Sequence, residues 1–102
     1  MDLTIDGPTL VVAGQIDVRC VTELRDALYD HLETHPEDVF LDVSDVESVD
    51  LTVLRMIAVA SRLAAREDHH LTLRGCPPAV RRLLHLTHLR NLVEVESGAA
   101  TA

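Results

Sequence analysis

Short β-branched apolar runs alternate along this chain with longer stretches in which apolar residues recur every three or four positions, and few folds other than a layered α/β domain accommodate that alternation. Residues 2–5 and 9–16 (TLVVAGQI) read as two strands separated by Asp6-Gly7-Pro8, residues suited to a tight hairpin turn. Val21, Leu24, Leu28 and Leu32 then mark one face of a helix that ends near His35-Pro36. Val39 to Val43 (VFLDV) has the composition of a buried central strand, closed by the polar turn Ser44-Asp45. From Thr52 to Arg66 a second helix sets Val53, Met56, Ile57, Ala60, Leu63 and Ala64 on one side, with Arg55, Val59, Arg62 and Arg66 on another. His70 to Arg74 alternates as a strand. Pro77-Pro78 opens a third helix with an apolar stripe of Val80, Leu83, Leu84 and Leu89, and Leu92 to Val95 supplies a last short strand. The order β-β-α-β-α-β-α-β predicts a mixed, mostly parallel sheet of four or five strands with helices packed on it.

Its 102 residues suffice for one domain, expected over residues 1–96, with the small-residue stretch 97–102 as a flexible tail. The apolar fraction is 47%, yet Tyr29 and Phe40 are the only aromatics, so the core must be built from Leu, Val, Ile and Ala. Aromatic platforms for stacking bases or sugars are thereby nearly excluded. A formal charge of -8 repels phosphate backbones and anionic lipid, which argues against nucleic acid and membrane as partners and favours a protein. The charge is unevenly spread: residues 1–50 hold thirteen acids against two arginines, a net of -11, while residues 51–102 carry +3. If the fold gathers the basic half, it offers an oriented docking face.

Catalytic chemistry finds little support. Cys20 and Cys76 lack CxxC spacing, and with no signal peptide or long apolar run they point to a cytoplasmic protein with free thiols. A depressed thiol pKa at either helix start would permit a thiol-dependent enzyme, but no Cys-His-Asp order or glycine-rich oxyanion loop accompanies them. His69-His70 and the pair His85 and His88 do not complete a metal site, and no phosphate-binding glycine loop occurs. The reading is of a non-enzyme with no metal and no cofactor.

In parallel α/β units the segments after Ile16, Val49 and Arg74 share one edge of the sheet, so Asp17, Thr52 and Cys76 are expected as neighbours. At this edge the sequence resembles a known family. Gly14-Gln15-Ile16-Asp17 before a helix, Leu41-Asp42-Val43-Ser44, and Val49-Asp50-Leu51-Thr52-Val53-Leu54 resemble the STAS domain pattern, as do Leu71 to Gly75 and Pro78 to Leu84. STAS domains include the bacterial anti-sigma factor antagonists, in which a strand ends in Asp-Ser-Ser-Gly-Leu and the second serine is phosphorylated by the cognate anti-sigma factor, releasing the complex. Thr52 stands where that serine would be, Leu51 replaces the first serine, and Val53 replaces the glycine. The resemblance implies an antagonist that frees a sigma factor by binding an anti-sigma factor, itself a serine/threonine kinase of histidine-kinase-like fold. Thr52 is then the phosphoacceptor candidate, and Asp17, Asp50, Leu51, Val53, Leu54, Arg55, Val59 and Arg62 are the partner-binding residues. From the residues alone, Thr52 reads first as an N-terminal helix cap, a role compatible with an exposed hydroxyl, and Asp17 as a cap of the first helix or its loop. The alternative within the family is a scaffold subunit that is never phosphorylated and assembles with copies of itself or with other STAS proteins.

Overall fold

The computed structural model describes residues 1–35 and 38–96; the tail expected at 97–102 lies outside the described residues. The strands are β1 (Asp2–Asp6), β2 (Thr9–Ile16), β3 (Asp38–Val49), β4 (His70–Arg74) and β5 (Glu94–Val95), and the helices are α1 (Val21–Thr34), α2 (Leu51–Arg66) and α3 (Pro78–Leu86). Single 3₁₀ turns at Val18–Cys20 and Leu89–Asn91 precede α1 and β5. The sheet order is β1-β2-β3-β4-β5, with β1 antiparallel to β2 and every later pair parallel. This is the mixed sheet that the alternation predicts, with β5 shorter and Leu89 placed in a 3₁₀ turn rather than on α3.

Strand β3 corrects the expected turn at Ser44-Asp45: it continues to Val49. The reason lies in its pairing with β2. Val11 faces Asp42 but Ala13 faces Asp45, and Gly14 faces Val46 while Gln15 faces Ser48, so β3 carries one extra residue at each of two bulges. Each bulge resets the inward face. The buried residues therefore run Val39, Leu41 and Val43 at period two, then Val46 three positions on. A polar pair at Ser44-Asp45 is how that reset looks in sequence. Gly14 has φ of +91° between the two bulges, a conformation that glycine adopts without steric cost.

The three helices and one face of the sheet close a single core containing Leu10, Val12, Leu24, Leu28, Leu41, Val53, Leu54, Leu71 and Leu73, all at most 1% exposed. Aliphatic side chains of this kind each contribute about 1.5–3 kcal/mol on burial, which is how two aromatics suffice. Leu63, expected inside, is 42% exposed at the rim of α2 beside Val59, because the helix turns its Ile57, Ala60, Ser61 and Ala64 side inward. His31 is buried, and its Nε2–H donates to Gly7 O (2.8 Å), fastening α1 to the β1–β2 turn. On the opposite sheet face the Arg74 guanidinium lies 4.1 Å from the Phe40 ring centroid and its Nε donates to Glu96 (3.1 Å).

His70 on β4 lies 3.0 Å from Glu94 on β5, and this carboxylate holds the imidazolium, raising its pKa above the ordinary 6.5. Because the folded value is the higher one, the contribution to stability is fully present below pH 6.5 and is lost as pH rises through the folded value. In Glu94→Gln the His70 titration followed by NMR is expected to move back down toward 6.5, and the stability difference from the native chain to vanish above the folded value.

Candidate functional site

The edge where β2 and β3 end is built by backbone. The Asp50 N–H donates to Ile16 O (2.9 Å), which brings the start of α2 against the loop that leads into α1. Asp50 has the extended backbone of an N-cap (φ -79°, ψ 147°), its Oδ1 accepts from the Thr52 N–H (2.9 Å), and its carbonyl accepts from the N–H groups of Val53 (3.0 Å) and Leu54 (3.1 Å). The cap is thus Asp50, and Thr52, whose alternative reading was a cap, sits two residues into the helix with its side chain exposed. Asp50→Ala removes the capping oxygen and is expected to cost about 1 kcal/mol. For a domain of this size that lowers the thermal midpoint by roughly 4–8 °C in a calorimetric scan.

Asp17 caps the 3₁₀ turn ahead of α1 rather than α1 itself, accepting from the Arg19 N–H (2.9 Å) and pairing with the Arg19 guanidinium (2.7 Å). The Arg19 guanidinium holds the Asp17 carboxyl below the usual carboxylate range. Beside it, the Cys20 thiol is 3.9 Å from Asp17 Oδ1.

Two of the residues expected to contact a partner do not reach the surface. Val53 and Leu54 are 0% and 1% exposed and belong to the core, because their side of the first helical turn faces the sheet. The branched Val53 side chain therefore leaves the approach to Thr52 open. Leu51 is half-buried, whereas Arg55, Val59 and Arg62 lie exposed one to three turns along α2 from Thr52. Thr52, Arg55, Val59 and Arg62 form one stripe, since positions three and four apart share a helix face.

Cys76 is not part of this edge. β4 pairs with Asp38 to Asp42 and ends there, so the following Gly75 meets Ser44, and a Cβ on Gly75 would lie 2.8 Å from Ser44 Cβ. Five residues of β3 separate Ser44 from Asp50, at most roughly 20 Å of strand. Cys76 is 7% exposed and burial pushes its thiol up, with Arg81 opposing only in part. A nucleophilic thiol needs the reverse. Among the described residues no group of three or more His, Cys, Asp or Glu side chains gathers as metal ligands would, and no helix is long and apolar enough to cross a membrane.

Comparison with known proteins gives a consistent outcome. The family model described as "Mlab, STAS domain" matches residues 1–94. The chain is 28% identical over 87 residues to the anti-sigma-B factor antagonist of Staphylococcus epidermidis, covering 85% of this chain and 81% of that protein. An anti-sigma factor antagonist from Mycobacterium paratuberculosis superposes with a TM-score of 0.75 at 23% identity, covering 97% of this chain and 86% of the other. The anti-sigma factor antagonist SpoIIAA in its unphosphorylated form does so with a TM-score of 0.74 at 12% identity, covering 98% and 90%.

Proposed function

This chain belongs to the STAS domain family, and from that premise we propose that it is an anti-sigma factor antagonist, docking an anti-sigma factor through the Asp50–Thr52 corner and the α2 stripe. The relatives named above are antagonists, and SpoIIAA is known in both an unphosphorylated and a phosphorylated form. The observation that carries the reading is the position of Thr52: an exposed hydroxyl on the first turn of α2, at the sheet end, continuous with exposed Arg55, Val59 and Arg62. A neutral hydroxyl there lets an acidic or apolar partner surface close over the corner. A phosphate would add about -1.5 to -2 charge beside the Asp50 carboxylate and within the partner's contact area. The helix macrodipole favours the phosphate itself, so the modification destabilises the complex without unfolding the domain.

The partner this reading requires is an anti-sigma factor with serine/threonine kinase activity and a histidine-kinase-like fold. Calorimetric titration of the native chain into that protein is expected to give a saturable complex. Incubation with ATP should then place one phosphate on the peptide carrying Thr52, read by mass spectrometry. Absence of any complex would remove the antagonist role; a complex without phosphate on Thr52 would remove the switch and leave the docking.

A further inference from the structure

A second face of the domain has the makings of a binding surface that the corner does not use. Between α3, the 3₁₀ turn at Leu89–Asn91 and β5 runs an open groove of about 510 Å³, ringed by Arg81, Arg82, His85 and Arg90 over an apolar floor that includes Leu84 and Val93. The nearby carboxylates are engaged elsewhere, Glu94 with His70 and Glu96 with Arg74. Among the described residues no acidic side chain pairs with the three groove arginines. A chain of net charge -8 thus carries a concentrated basic face whose arginines have no carboxylate partner among the described residues.

The matching acidic surface lies on the same molecule, out of its own reach. Glu23, Asp26, Asp30 and Glu33 are exposed on α1 at spacings of three and four, which lines them along one side of that helix. α2 packs against α1 on one side and against β4 and the Leu89–Asn91 turn on the other, so α1 and α3 flank it. The uneven charge of the sequence becomes an acidic flank and a basic flank of one body.

We propose that the groove around Arg82 and Arg90 receives the acidic face of α1 from a second copy of this chain, giving a head-to-tail association. Such a contact is heterologous: each copy offers one donor flank and one acceptor flank, so the association extends beyond a dimer. Exposed ion pairs each contribute little, and a few of them give weak, concentration-dependent assembly. Salt acts in two ways. At very low ionic strength the -8 charges repel at long range, whereas near 50 mM contact-range attraction survives; several hundred millimolar, where the Debye length is only about 4–5 Å, weakens it.

Light scattering or sedimentation at about 50 mM salt is expected to show an average mass rising above 11.2 kDa with concentration. It should return to the monomer value at several hundred millimolar. Arg82→Glu with Arg90→Glu, and separately Asp26→Arg with Asp30→Arg, should each abolish the rise, and an equimolar mixture of the two variants should restore it. All four positions are exposed, so neither variant disturbs the core. Thr52→Glu should associate as the native chain does, which separates this surface from the corner. A native chain that stays monomeric throughout, association that salt does not weaken, or a variant mixture that fails to regain mass would each overturn the proposal.

Discussion

A Thr52→Glu chain is expected to lose about a hundredfold or more of its affinity for the cognate anti-sigma factor while keeping its thermal midpoint. The first half follows from placement. Thr52 is exposed and lies on the stripe formed with Arg55, Val59 and Arg62, so a carboxylate there enters the contact area, where juxtaposed like charges cost several kcal/mol; a hundredfold corresponds to about 2.7 kcal/mol. The second half follows from the helix. Asp50 already supplies the cap to the Thr52 N–H, and an acidic side chain in the first turn is favoured by the macrodipole, so the substitution leaves the fold intact. Thr52→Val removes the acceptor without adding charge and should bind like the native chain. Calorimetry with all three proteins decides the matter: equal affinities for the native and Glu chains would show that charge at Thr52 does not govern the complex.

The largest effect on stability is expected at Leu41. It is fully buried on β3, the central strand, between β2 and β4, where it pairs with Leu10 on one side and Leu73 on the other, each also fully buried. With only two aromatics in the chain, no large neighbouring side chain is available to swing into the space that truncation leaves. Leu41→Ala should therefore fall in the upper part of the range for such changes, about 3–5 kcal/mol. Domains of this size have about 5–15 kcal/mol to lose. Chemical denaturation should show the midpoint falling with the slope unchanged; a loss below about 1 kcal/mol would mean that the helical layer collapses onto the site more freely than dense packing allows.

The periodicities found both layers of the fold because each element has a single dominant burial pattern. Leu24 and Leu28 on α1, Ile57, Ala60 and Ala64 on α2, and Leu71 and Leu73 on β4 are buried as the spacing predicts. Errors arose where one element answers to two neighbours. In β3 the pairing with β2 inserts extra residues, so Ser44 and Asp45 imitate a turn. On α2, Leu63 belongs by type to the core, but the helix turns its Ile57, Ala60, Ser61 and Ala64 side inward and leaves it at the rim. The corner itself was legible from Asp50 and Thr52, though not the division of labour within it. Cap and hydroxyl fall on different residues, and the inward turn of Val53 and Leu54 depends on where the sheet ends. Cys76 was misplaced because strand order gives the edge shared by parallel units but not how far each strand runs. The basic flank was visible as a charge imbalance, while the groove that concentrates it required the packing of α3 against β5.

The two bulges of β3 also bear on how such a domain can change over generations. Between Val43 and Asp50 the strand holds more residues than its partner β2 needs, and β4 does not extend alongside it. Gaining or losing one residue in that stretch alters how far α2 begins beyond the sheet, and the core layer of Leu10, Leu41 and Leu73 is left in register. Descendants of one ancestral chain can therefore shift the Asp50–Thr52 corner relative to the sheet by small changes in length, without having to reinvent the body that carries it.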